Sequence, residues 1–481
     1  MIPLRQSGDT TQHTLPAPFQ RGGKLPRVAA AVERRLVALR PWLPVVHAAM
    51  TIGFLGILVI PLLLDDPPAN AGLFDHATVL VHTLLWGVWF PLTFLSVLLT
   101  GRSWCGLLCP MGAMSEWTGK VGLRLPIPAW LRWPGTPVVS FVLVTVWGQT
   151  VGVRDHPEAA AILFGTVFAS AALIGYLFGR GKRAWCRHAC PIGLLLGVYA
   201  RLGAVEFAPK RPEPGGDRWT EKTVCPTMIH LKRKTESRHC IECFRCVGPS
   251  SPGGLHVKLR VPGTEIEEIG ARNPSLSEVL FLFVGTGVAL GGFLWLVLPS
   301  YQDLRMAIGN WAIDQEWYWL GEPGPRWLMA VYPERREVFR WLDFLLIAGY
   351  MLGWLAALTT VLCATTAMAA WLSVRLSPGT AVRVRFVELG YQYAPVAMVS
   401  LLLGIGSGLF ETLTALGLPP AMVLGAKGLL FACGALWSLH LGNRLLAAQG
   451  VPGAWRPLPL FPGALGIVAV GAAWYPALFG A

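Results

Sequence analysis

Nine apolar runs, at residues 45–64, 78–99, 136–153, 159–178, 277–298, 341–374, 391–415, 420–445 and 458–479, leave this chain few folds to choose from. Each is close to the roughly 20 apolar residues that cross a bilayer core as a helix. Backbone surrounded by lipid has no water to bond, so these runs satisfy their own amides by forming helices. An all-α polytopic membrane protein of about nine transmembrane helices follows. The run at 341–374 exceeds one crossing, so part of it is expected to tilt or project. Only 14% of the 481 residues are charged, against about 25% in an average soluble domain.

The net charge of +13 raises nucleic acid as a partner, but no reader motif accompanies it. The charge follows the positive-inside pattern instead. The 65–77 loop holds Asp65, Asp66 and Asp75 and no Lys or Arg, whereas the 100–135 loop holds Arg102, Lys120, Arg124 and Arg132, and 180–276 is dense in both. The alternation puts the N-terminus inside and the C-terminus outside, as nine crossings require. Residues 1–42 read as a basic cytoplasmic arm; they lack the apolar stretch and small-residue cleavage site of a signal peptide. The expected setting is the cytoplasmic (inner) membrane, with the bilayer itself as first partner and the cysteine motifs on the cytoplasmic face.

Eight of the ten cysteines fall in that inside-facing sequence. Cys240-x2-Cys243-x2-Cys246 wraps three thiolates around one point, which suits a corner of an iron–sulfur cube. The usual run continues to a fourth cysteine, but here Val247-Gly248-Pro249-Ser250 follows. Cys225, before Pro226, is the nearest candidate for the fourth ligand. Cys225, Cys240, Cys243 and Cys246 are therefore expected to hold one [4Fe–4S] cluster. A structural zinc site, the bland alternative, favours two separated Cys-x2-Cys pairs. His239 beside Cys240 reads as a neighbour rather than a ligand.

The other four cysteines belong to an internal repeat. Trp104-Cys105-x3-Cys109-Pro110-x-Gly112 follows the second run, and Trp185-Cys186-x3-Cys190-Pro191-x-Gly193 follows the fourth. A duplicated hairpin brings both pairs to one membrane face. Residues before proline avoid helical geometry, and proline favours the first helical turn, so Cys109 and Cys190 are expected at helix N-caps. The partial positive charge there favours a thiolate. Cys105, Cys109, Cys186 and Cys190 then hold a second [4Fe–4S] cluster, a single metal ion, or a redox-active dithiol. The neighbouring Arg102, Arg180, Lys182, Arg183, Arg187 and Arg245 have a dual reading, as offsets to the negative charge of thiolate-bound clusters or as topology signals; the second alone suffices, so they are given no site role. His47, His82 and His440 lie at unequal depths for a shared haem. Cys363 and Cys433 read as packing, and Asp343 and Glu411 as interfacial.

The repeat and the downstream triplet together make the chain resemble the membrane polyferredoxins of the NapH, NosR and CcoG type, over roughly residues 45–275. The resemblance implies an inner-membrane electron-transfer component joining cytoplasmic or quinol-pool electrons to a respiratory or other redox partner protein, rather than a stand-alone catalyst. It also implies an alternative, assembly or reduction of a metal centre such as copper. The chain departs from the pattern in having one ferredoxin-like motif, an upstream fourth ligand and five extra C-terminal spans. The expected units are the arm at 1–42, duplicated hairpins at 43–204, a small loop-rich cytoplasmic cluster domain at 205–276, and a five-span domain at 277–481 with an external loop at 299–340.

Overall fold

The computed structural model describes residues 24–68, 71–210, 224–248 and 254–479. Among them, eight helices are long and apolar enough to cross a membrane: Arg27–Leu63, Ala77–Thr100, Pro157–Phe178, Leu276–Val297, Trp341–Leu376, Val382–Gly404, Pro420–Ala448 and Gly453–Pro476. The protein is an all-α polytopic membrane protein. The remaining apolar run forms the shorter helix Thr136–Val151, of 16 residues. At 1.5 Å per residue it reaches about 24 Å, less than the roughly 30 Å of a hydrocarbon core. The 299–340 loop folds onto its end. Ala330 N donates to Thr150 O at 2.8 Å, Thr150 Oγ1 to Leu328 O at 2.9 Å, and Trp147 Nε1 to Trp327 O at 2.7 Å.

Two spans are irregular at the same depth. The second carries a π-helical stretch, Leu84–Trp89, just before Pro91. Proline lacks the N–H that continues an α-helix, and a wide turn before it absorbs the break. The run expected as one helix at 391–415 is divided, by a turn at Ile405–Gly406, into Val382–Gly404 and Ser407–Ala415. Gly408 packs against the Trp86 backbone there, with no room for a Cβ. Non-helical backbone at membrane depth is tolerated where it lines a protein cavity, and Trp86, Gly404 and Ile405 do line one.

Helix Leu276–Val297 is the centre of the C-terminal part, buried along most of its length. Gly287 and Gly291 give it a flat strip against the 36-residue helix Trp341–Leu376. A Cβ on either would lie within 3 Å of Leu355 Cα or Met351 Cα. Small residues four apart are the usual device for bringing membrane helices this close.

The segment expected as a loop-rich cluster domain contains one antiparallel sheet, Val205–Pro209 with Leu255–Leu259, Phe207 facing Val257. Its small core packs Phe207, Leu231, Phe244, Leu255 and Val257 around Cys225, Cys240 and Cys246. The basic arm is not free of this domain. Its helix Lys24–Leu39 sends Leu36 and Val37 against that core. Glu33 Oε2 accepts the edge-strand amide of Val257 at 3.1 Å, so an exposed sheet edge is avoided.

A buried ion network ties the sheet region to the membrane helices. Arg201, fully buried, donates to Glu265 Oε1 at 3.0 Å and Glu278 Oε2 at 2.9 Å. Arg260 and Arg238 approach the same two carboxylates at 2.6 and 3.1 Å. Glu278 opens helix Leu276–Val297 and also accepts from the Tyr391 hydroxyl.

Candidate functional site

The two Cys-x3-Cys-Pro motifs meet, as a duplicated hairpin should make them. Cys105, Cys109, Cys186 and Cys190 share one wall of a cavity of about 1570 Å3 whose other walls are mostly apolar, with Trp86, Trp89, Phe90, Phe141 and Phe164 among them. Cys105 and Cys186 sit in one-turn helices, Ser103–Leu107 and Ala184–His188. Cys109 is the N-cap of helix Pro110–Val121, as its proline implies. Cys190 is not. The second helix begins at Gly193 with Ile192 as N-cap, because Pro191 and Ile192 form a turn before it. The expected lowering of the thiol pKa is also outweighed. Burial pushes Cys109 up to about 11 and Cys186 up to about 12. Both are neutral thiols until an electrophilic metal displaces the proton.

Arginines close the site. Arg183, with no exposed surface, donates from Nη1 to Cys105 O at 2.6 Å and from Nε to Glu116 Oε2 at 3.0 Å. Its backbone amide donates to Pro226 O at 2.8 Å. Glu116 also accepts from Arg245, at 2.7 and 3.0 Å. Arg102 donates from Nη1 to Arg238 O at 2.7 Å and lies 3.9 Å from Cys105 Sγ. These side chains read as topology signals in the sequence, and the structure corrects that for Arg102, Arg183 and Arg245. The repeat already held the clue, because Arg102-x-Trp104-Cys105 and Arg183-x-Trp185-Cys186 share a frame that starts at the arginine. His47, from the first span, places a ring nitrogen 3.0 Å from Gly106 O.

Cys225 comes to the other three. Cys225, Cys240, Cys243 and Cys246 line one small pocket with Phe207, Ile229 and Leu231. Burial pushes the Cys240 thiol up to about 12. Glu242, between two of these cysteines, is a buried carboxylate with neither oxygen bonded. Burial pushes it up to about 8. Its position inside the Cys-x2-Cys spacing gave no hint of this.

Each donor set brings four cysteines to one cavity, the ligand set of an iron–sulfur cube, which also offers sulfide acceptors between its thiolates. Around the paired motifs, two buried donors, Arg102 Nε and Trp185 Nε1, have no protein acceptor. Both residues line the cavity with the four sulfurs.

The two sets abut. Gly106, next to Cys105, lies under the 241–243 backbone. A Cβ there would strike the Ile241 carbonyl oxygen and stand 2.9 Å from Cys243 N. The second repeat has Arg187 at the matching position. The remaining polar candidates scatter. His82 bonds Arg154 O at 2.7 Å and His440 stands near Glu267 at 3.8 Å, so neither faces His47. Asp343 is buried against Arg305 at 2.6 Å, and Glu411 pairs with Arg154 at 3.2 Å. Cys363 and Cys433 lie in helices Trp341–Leu376 and Pro420–Ala448.

A family profile for a 4Fe-4S binding domain matches residues 83–128 and 161–208. These segments contain both Cys-x3-Cys-Pro motifs and the spans that lead into them. The chain is a membrane-bound iron–sulfur protein. The matched segments end before Cys225, so the profile covers the site whose occupant the sequence left most open. The chain is similar to the regulatory protein NosR of Pseudomonas aeruginosa, 26% identical over 34% of this chain and 26% of that one. It is similar to the protein NirI of Paracoccus denitrificans, 28% identical over 39% of this chain and 30% of that one. It is also similar to the putative electron transport protein YccM of Escherichia coli, 26% identical over 31% of this chain and 49% of that one. The chain thus spans between about a quarter and a half of the length of these relatives. No solved structure matches it.

Proposed function

We propose that this protein carries electrons along one face of the membrane through two [4Fe–4S] clusters. Cys105, Cys109, Cys186 and Cys190 would hold one; Cys225, Cys240, Cys243 and Cys246 would hold the other. The observation that carries the reading is the contact of Gly106 with the 241–243 backbone. It brings two cysteine tetrads together with one loop between them. Bound there, the clusters supply one-electron chemistry. The chain's own residues do the rest. Arg183 and Arg102 set positive charge against thiolate ligands that have left water, and Glu116 fixes Arg183. The basic loops on this face support a cytoplasmic position for it. The large aromatic cavity opens on the paired motifs, and it is the natural place for a lipid-soluble quinol to meet them. A redox partner protein would dock on the side of Cys225 and Cys240–Cys246. The alternative, assembly or reduction of a metal centre such as copper, uses the same paired thiols.

EPR of anaerobically purified protein, with Cys105→Ser and Cys225→Ser variants, tests the assignment. Each substitution should remove a different one of two signals. Loss of the same signal in both, or of none, overturns it.

A further inference from the structure

A second cavity, of about 780 Å3, opens beside Cys186, between the inner ends of two membrane helices. Its wall includes Arg132, Arg187, His188, Arg238 and His239, and it includes no carboxylate. Two of the cations that reach it are already answered. Arg238 pairs with Glu278 at 3.1 Å and Glu236 at 3.5 Å, and Arg102 serves Cys105. Arg132 and Arg187 are not answered: among the described residues their backbone amides bond Pro128 O and Arg183 O, but neither guanidinium pairs with a carboxylate. A wall of guanidinium cations with no carboxylate invites an anion.

The helices point the same way. Gly135 is the N-cap of Thr136–Val151 and Ser275 the N-cap of Leu276–Val297, and the Ser275 side chain makes no capping bond. Ser275 and Ser277 both face the cavity. The helix dipole favours negative charge at such ends. Trp133 and Arg132, both exposed, form the rim, and tryptophan and arginine mark the headgroup level of a bilayer.

We propose that this cavity binds a phosphate group, held by Arg132, Arg187 and His188 with Ser275 and Ser277. The phosphate arrives as the headgroup of an anionic phospholipid or as a free phosphate compound. Basic pockets between membrane helices are where anionic headgroups bind. The proposal is independent of the electron-transfer reading, because it requires no cluster and no partner.

The test uses delipidated full-length protein in a neutral detergent, with iron content measured to show that the cysteine sites are intact. One arm adds phosphatidylglycerol, with phosphatidylcholine as control. The other adds inorganic phosphate or pyrophosphate against chloride of equal ionic strength. Thermal unfolding and native mass spectrometry read binding. We expect one phosphatidylglycerol per chain and a raised unfolding temperature, with no response to phosphatidylcholine. A response to phosphate compounds alone assigns the site to the free source. Arg132→Gln with His188→Gln should weaken binding about tenfold or more, as loss of charge-assisted hydrogen bonds does; the single Arg132→Gln variant, at an exposed position, guards against misfolding. No specific response in either arm, or equal binding by intact variants, overturns the proposal.

Discussion

Gly106 and Cys243 touch backbone to backbone, with 2.9 Å between the Cys243 amide nitrogen and the place a Gly106 Cβ would occupy. The contact joins the first repeat to the ferredoxin-like loop. It also explains why Cys105 is followed by glycine when Cys186 is followed by arginine.

Gly106→Ala should therefore separate the two loops. Overpacking at such a contact typically costs about 1–3 kcal/mol. Thermal unfolding in detergent should fall accordingly, and iron should be lost more readily. Gly165→Ala is the control, since nothing lies within 4 Å of its added Cβ. Equal stability of the two variants would contradict the close approach.

Arg183 and Glu116 form a buried pair, 0% and 7% exposed at the side chain. Removing one member of a buried pair strands the other charge and costs about 3–5 kcal/mol. Arg183→Gln should be destabilising on that scale. Arg245→Gln should cost less, because Arg245 is 29% exposed and Glu116 keeps its other partner. Chemical denaturation of the three proteins measures both differences.

The membrane architecture was legible because apolar runs announce themselves by length. What the runs could not announce was the division of 391–415 or the brevity of Thr136–Val151. Both depend on neighbours, Trp86 in one case and the Thr150–Ala330 contact in the other. The eight cysteines were legible as two tetrads because spacing and duplication are local properties. Their surroundings were less so. Arg183 looks like any inside-facing cation until Glu116, 67 positions away, is seen beside it. The N-cap expectation failed at Cys190 because the turn at Pro191–Ile192 delays the helix.

Glu265 makes the dock between the cluster domain and the membrane helices sensitive to acid. Burial opposes its charge, but Arg201 and Arg260 outweigh burial and hold it down at about 2. A folded pKa below the unfolded one, about 4.3, gives stability that is present above pH 4.3 and lost as pH falls toward 2. The contribution is on the order of 3 kcal/mol. The unfolding-temperature gap between the native protein and Glu265→Gln should be widest at pH 6 and shrink below pH 4. A gap independent of pH would contradict the assignment.

The Cys225 side should be separable from the rest. Cys225→Ser should lower iron by about four per chain while Cys105, Cys109, Cys186 and Cys190 retain theirs, read by metal analysis after anaerobic purification.

The most direct measurement of the account is iron and acid-labile sulfide per chain, combined with EPR of the fully reduced protein. Two clusters separated by one loop predict about eight irons and eight sulfides and a spectrum broadened by interaction between two neighbouring spins. About four irons, with a single uncoupled signal that survives Cys105→Ser, would contradict it.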